Sequence, residues 1–141
     1  MAFLLDSNVV SELWKPFPST NVVSWISSAE WLIPVVVIAE IQEGAEAAPT
    51  TARRTEINRR LDAFLQEYCM LTVDWDADTA RTWARLRHSP AVKRHPQSLW
   101  GSLIDAMAIR HGMEIASRNH GDFRHSVVFD PWTGEEHQPR G

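Results

Sequence analysis

The acids Asp6, Glu40, Asp105 and Asp122 stand where solubility alone does not explain an acidic residue. Asp6 closes the apolar run "AFLLD". Glu40 sits between "VVVIA" and Ile41, and Asp105 interrupts "SLIDAMAI". Asp122 lies in "SRNHGDF", just after the apolar segment "EIAS", with Asn119 the other polar candidate there. An isolated carboxylate in a core is costly, so it must be paired, neutralised or bound to a metal. If these segments converge, their carboxylates cannot all ionise at neutral pH without a compensating cation. Clustered carboxylate oxygens suit hard divalent ions, Mg²⁺ or Mn²⁺. Such ions polarise a phosphoryl oxygen and activate water, which is the chemistry of phosphodiester hydrolysis. Each acid alone also reads as a helix-terminal or partly solvated residue. Their joint occurrence at strand ends and in apolar helices is what points to a site.

The elements that must position these acids alternate between short apolar strands and helices. "AFLLD" reads as a buried strand and "SNVVSELWK" as a helix with Ser7 as N-cap, stopped by Pro16. A helix over 20–29 follows, then the strand "WLIPVVV", in which Pro34 marks an edge or a strand end. "IAEIQEGAEA" continues as a helix ended by Pro49. The clearest helix spans 51–68, where Ile57, Leu61, Phe64, Leu65 and Tyr68 recur at helical spacing. "MLTVD" reads as a strand, "DADTARTWARLR" as a helix capped by Asp76, and "HSPAVKRHPQ" as a loop. "SLWGSLIDAMAIRHG" is a helix ending at Gly112, with Ser98, Gly101, Ser102 and Asp105 on one face, small groups that leave room for a ligand. "EIAS" and "SVVFD" are the last strands, and the chain from Pro131 onward reads as a loose tail. The pattern is that of an α/β fold with a mainly parallel sheet, whose functional groups gather beyond the carboxyl ends of the strands.

Size and composition fit one globular domain: 141 residues, 44% hydrophobic and 23% charged. No apolar run approaches the roughly 20 residues that cross a bilayer, and no signal peptide is expected, so no membrane partner is expected. Cys69 is the one cysteine, which rules out an internal disulfide and favours a cytoplasmic location. The net charge of −4 does not advertise a nucleic-acid binder, although acids around a metal contribute to it. The densest basic stretch, Arg85 to His95, leads into the helix bearing Asp105. Its Lys93 and Arg94, together with Arg118, are candidate RNA phosphate contacts, and a solvated charged loop is the plainer reading. Arg53, Arg54, Arg59 and Arg60 would meet a partner protein or line a groove, and a solvated helix face is again the plainer reading. The histidines fit no zinc spacing. "DWDADT" fails as a calcium loop because Thr79 and Arg85 stand where glycine and glutamate are needed.

"LLDSNVVSE", "VVVIAEIQEG", "LIDAMAIRHG" and "IASRNHGDF", in that order, resemble the PIN-domain ribonucleases, and among them the VapC-type toxins of toxin–antitoxin pairs. "VVFDPW" resembles the Asn-Pro-Trp-like ending of one subgroup. The resemblance runs over about residues 2–132, implying a PIN domain over 1–132 and a polar tail over 133–141. It implies a three-layer α/β/α domain and a Mg²⁺-dependent endoribonuclease (Mn²⁺ as substitute) that cuts structured RNA such as transfer RNA and so inhibits translation. It also implies a homodimer and a cognate antitoxin that blocks the site in a higher-order complex. By position, Asp6, Glu40, Asp105 and Asp122 match the metal-binding acids, while Ser7, Asn8 and Asn119 stand around them. Whether the position of Asn119 or of Asp122 faces the metal stays open, since Asp122 could instead cap the turn before Phe123. The rival reading is a non-catalytic partner acting with a DNA-binding antitoxin as a repressor complex.

Overall fold

The computed structural model describes residues 2–139; Met1 of the expected domain and residues 140–141 of the expected tail lie outside them. The elements run β1 (Phe3–Leu5), α1 (Ser7–Leu13), α2 (Thr20–Ser28), β2 (Trp31–Pro34), α3 (Val35–Glu46), α4 (Thr51–Tyr68) and β3 (Thr72–Val73). They continue with α5 (Ala77–Arg87), α6 (Pro90–Arg94), α7 (Leu99–His111), β4 (Glu114–Ala116), β5 (Val128–Asp130) and β6 (Glu135–His137). The six strands form one sheet in the order β3-β2-β1-β4-β5-β6, parallel throughout except for β6. Helices flank the sheet in the expected α/β/α arrangement. A strand covered on both faces must be apolar throughout, and Leu4, Leu5, Ile115 and Ala116 are fully buried accordingly.

Register brings distant segments together. Leu5 pairs with Ala116, and the amide of Asp6 donates to the carbonyl of Ala116 at 3.0 Å. The residues following β1 and β4 are therefore neighbours, and they are Asp6 and Ser117. On the other side of β1, β2 turns into α3 at Pro34, which closes the strand and caps the helix. Pro34 thus marks a strand end. Val35 to Val37, read as strand from their β-branching, are the first turn of α3, because Val37, Ile41 and Ala45 recur at four-residue spacing and bury one helix face.

Two further readings are corrected. "HSPAVKRHPQ" contains α6, in which Ser89 accepts from the amide of Val92 and Pro90 takes the first helical position. The tail from Pro131 is not loose, since β6 pairs antiparallel with β5, Val128 opposite His137 and Asp130 opposite Glu135. Gly134, with φ of 80°, makes the reversal. Asp76 caps α5 and Gly112 ends α7 at φ 64°, as the sequence predicts, and Ser98 caps α7.

Candidate functional site

Asp6 is both a helix cap and the acid on which the other candidate residues converge. It, rather than Ser7, is the N-cap of α1, its Oδ1 accepting from the amide of Ser7 at 2.8 Å. The strand register fixes Asp6 in extended backbone, so the helix can begin only at the next residue. Its Oδ2 accepts from the hydroxyl of Ser117 at 2.7 Å and from Asn8 Nδ2 at 3.3 Å. With the side chain only 5% exposed, burial raises the Asp6 pKa; the Ser117 and Ser7 bonds oppose the rise, and the charge of Asp122 adds to it.

Asn8 and Asn119 brace this centre in different ways. Asn8 Nδ2 also donates to Ser117 Oγ at 3.1 Å, and its Oδ1 accepts from the amide of Arg118 at 3.4 Å. Asn119 acts through its main chain: its amide donates to Ser117 Oγ at 3.0 Å and its carbonyl accepts from the amide of Asp122. One serine hydroxyl therefore joins Asp6, Asn8 and the turn His120–Asp122.

Glu40 is half-buried on α3. Its Oε1 is buried and has no hydrogen-bond partner. Its pKa is raised, first by burial, then by the charge of Asp6, with the Ser7 hydroxyl opposing and Asp122 adding. Asp6, Glu40 and Asp122 thus repel one another at one end of the sheet. Among the described residues, no group of three or more His, Cys, Asp or Glu side chains is arranged to hold a metal ion. The chemistry of the three nonetheless fits a hard divalent cation: the donors are all carboxylates, and the buried Glu40 Oε1 has no partner.

Asp105 is held by a separate set of partners. It is 1% exposed, in the second turn of α7, and both its oxygens are already engaged. Oδ1 accepts from Ser126 Oγ at 2.5 Å, while Oδ2 accepts from Gln97 Nε2 at 3.0 Å and from the amides of Arg124 and His125 at 2.9 and 3.1 Å. Four donors thus surround this carboxylate, three on Oδ2 and one on Oδ1. The small-residue face of α7 holds no ligand space. Ser98 caps Gly101, Ser102 accepts from Trp83 Nε1, and a Cβ on Gly101 would stand 2.7 Å from the carbonyl oxygen of Asp122.

Sequence reading missed Gln97, Arg124 and Ser126. Arg124 donates to the carbonyls of His95 and Pro96, joining the segment after α6 to the turn bearing Asp122. Nothing local in "HPQS" or "FRHS" signals these roles. Lys93 and Arg94 are exposed on α6, and the Arg118 guanidinium lies over the Trp132 ring, 4.3 Å from its centroid. A cleft of about 610 Å³ opens beside the acids, lined by Ser7, Glu40, Trp14, Lys15, Arg53 and Arg60 among others. Arg53 and Arg60 line this cleft, Arg54 binds the carbonyl of Glu46, and both Arg59 and Arg60 pair with Glu56.

Comparison with known proteins places this geometry. The PIN domain family matches residues 3–125. The VapC ribonuclease Y4jK of Sinorhizobium fredii is 30% identical over 135 residues, covering 92% of this chain and 96% of that protein. The crystal structure of FitAcB from Neisseria gonorrhoeae superposes with a TM-score of 0.76 at 27% identity, over 94% of this chain and 99% of that one. The structure of FitAB bound to an IR36 DNA fragment gives 0.77 at 27% identity, over 98% of this chain and 100% of that one.

Proposed function

The chain belongs to the PIN-domain family, as a toxin of the VapC type, and on that premise we propose that it is a divalent-metal-dependent endoribonuclease restrained by a cognate antitoxin. The observation that carries the proposal is the buried, partnerless Glu40 Oε1 near the Asp6 carboxylate at the end of the parallel sheet, in a chain that matches the PIN domain. Asp6, Glu40 and Asp122 would hold Mg²⁺, with Mn²⁺ as substitute. Bound there, the ion supplies polarisation of a phosphoryl oxygen and activation of a water. Ser7, Asn8 and Ser117 hold the Asp6 carboxylate in orientation, so that no reorganisation is needed when substrate arrives. Arg53, Arg60 and Lys15, along the cleft ending at Glu40, would contact an RNA backbone, with Arg118, Lys93 and Arg94 as further phosphate contacts.

The substrate in this reading is a structured RNA such as transfer RNA, and its cleavage stops translation in the cytoplasm. The antitoxin occupies the same cleft. Toxin homodimers would build the higher-order complex; light scattering at micromolar concentration checks this, and a monomer counts against it.

Incubation of the purified protein with Mg²⁺ and total transfer RNA tests the activity. Asp6→Asn and Glu40→Gln should each lower cleavage by about a hundredfold or more and abolish growth inhibition on induced expression. A second reading, a non-catalytic partner of a DNA-binding antitoxin, draws on the net charge of −4 and on the DNA complex of FitAB. It predicts that both variants leave the phenotype unchanged.

A further inference from the structure

Asp105 is the one deeply buried carboxylate that the acid cluster does not use. Its four donors come from two separate segments. Gln97 precedes α7, while Arg124, His125 and Ser126 follow the turn that bears Asp122. Gln97 Nε2 also donates to the carbonyl oxygen of Asp122 at 3.0 Å, so one amide group spans Asp105 and the Asp122 main chain. On the neighbouring turn of α7, Gly101 lets that carbonyl approach where any side chain would clash. The nearby Arg124 guanidinium turns instead to the carbonyls of His95, Pro96 and Gly121. The Asp105 charge is therefore balanced by amide and hydroxyl dipoles.

We propose that Asp105 is a positioning carboxylate and not a cation ligand. It clamps residues 124–126 against α7 and, through Gln97, sets the main chain of Asp122, so that the cation site has three carboxylates. This deepens the nuclease reading and rests on it for the role of Asp122. A cation at Oδ2 would displace one of its three donors and leave a buried group unpaired, and Oδ1, held by Ser126, belongs to a side chain only 1% exposed.

Asparagine at this position keeps the clamp. Its oxygen accepts from Gln97 and the two amides, and its NH₂ donates to Ser126 Oγ, which turns to accept. The test combines Mn²⁺ titration with hydrogen exchange at the amides of Arg124 and His125. Asp105→Asn should leave Mn²⁺ affinity within about threefold and exchange unchanged, whereas Asp6→Asn should lower affinity about a hundredfold. Asp105→Ala should speed exchange at both amides about tenfold or more and weaken Mn²⁺ binding about tenfold. Should that variant fail to fold, Ser126→Ala and Gln97→Ala remove single donors and should each speed the same exchange severalfold. A drop in Mn²⁺ affinity for Asp105→Asn as large as that for Asp6→Asn, with exchange unchanged, overturns the proposal. The exchange readout needs no metal. If the parent binds no Mn²⁺, the nuclease reading fails, and exchange in Asp105→Ala, Ser126→Ala and Gln97→Ala still decides the clamp.

Discussion

The hydroxyl of Ser117 donates to Asp6 Oδ2 at 2.7 Å across 111 positions of sequence. The contact follows from strand register, because parallel β1 and β4 end side by side and each contributes the next residue. The same hydroxyl accepts from Asn8 Nδ2 and from the amide of Asn119. Ser117→Ala should therefore cost about 1–3 kcal/mol, the penalty of leaving buried polar groups unpaired, measured by urea denaturation. It should also raise the Asp6 pKa further, since the lost bond favours the charged form.

Without metal, the acid cluster makes stability depend on pH. Asp6 and Glu40 have pKa values raised from 3.8 and 4.5, so the folded protein keeps their protons at pH values where the unfolded chain has lost them. Their contribution is fully present below the ordinary values and is lost as pH rises through the raised ones. Asp6→Asn removes one of these groups, so the metal-free variant should melt higher than the parent at neutral pH, by a few degrees. Mg²⁺ at about 100 times its Kd should stabilise the parent by about 2.7 kcal/mol and the variant far less. Thermal melts between about pH 5 and 8, with and without Mg²⁺, check both outcomes.

Gly101→Ala would place a Cβ 2.7 Å from the Asp122 carbonyl oxygen, 3.0 Å from Ser98 Oγ and 3.3 Å from Asp122 Cβ. Backbone must move. A stability cost of about 1–3 kcal/mol is expected, with a larger fall in RNA cleavage, up to about a hundredfold, because displacement of Asp122 spoils the site geometry.

Arg118 is exposed, and its guanidinium rests on Trp132. Arg118→Ala should cost less than about 1 kcal/mol of stability. If the guanidinium meets a phosphate, the slope of log affinity against log salt for RNA should shrink by about one. Binding measured across a salt series separates the two effects.

Asp6, Glu40 and Asp122 stood out in the sequence as candidate site acids because each breaks an apolar pattern or follows a strand, and chain topology carries such positions to one end of a parallel sheet. Asp105 broke a pattern just as clearly, yet its hydrogen-bond partners were not legible. Three of its four donors lie near residue 125, and no spacing rule connects them to residue 105. Likewise β6 is "EEH", which has no apolar alternation; its pairing is set by the turn at Gly134 and by the open edge of β5. The start of α3 was misread for the opposite reason. Val35 to Val37 favour strands locally, and the burial of one helix face overrides that preference.

The sheet ends in ways that discourage templated self-assembly. At one margin β3 is two residues long, and at the other β6 presents two glutamates and a histidine. Exposed strand margins invite chains to add on and aggregate, and short or charged ones refuse. A parallel sheet forms slowly, and its unfinished forms are the vulnerable ones. Removal of residues 133–141 would uncover the margin of β5 and should leave a protein that precipitates while refolding, even with every acid of the site in place.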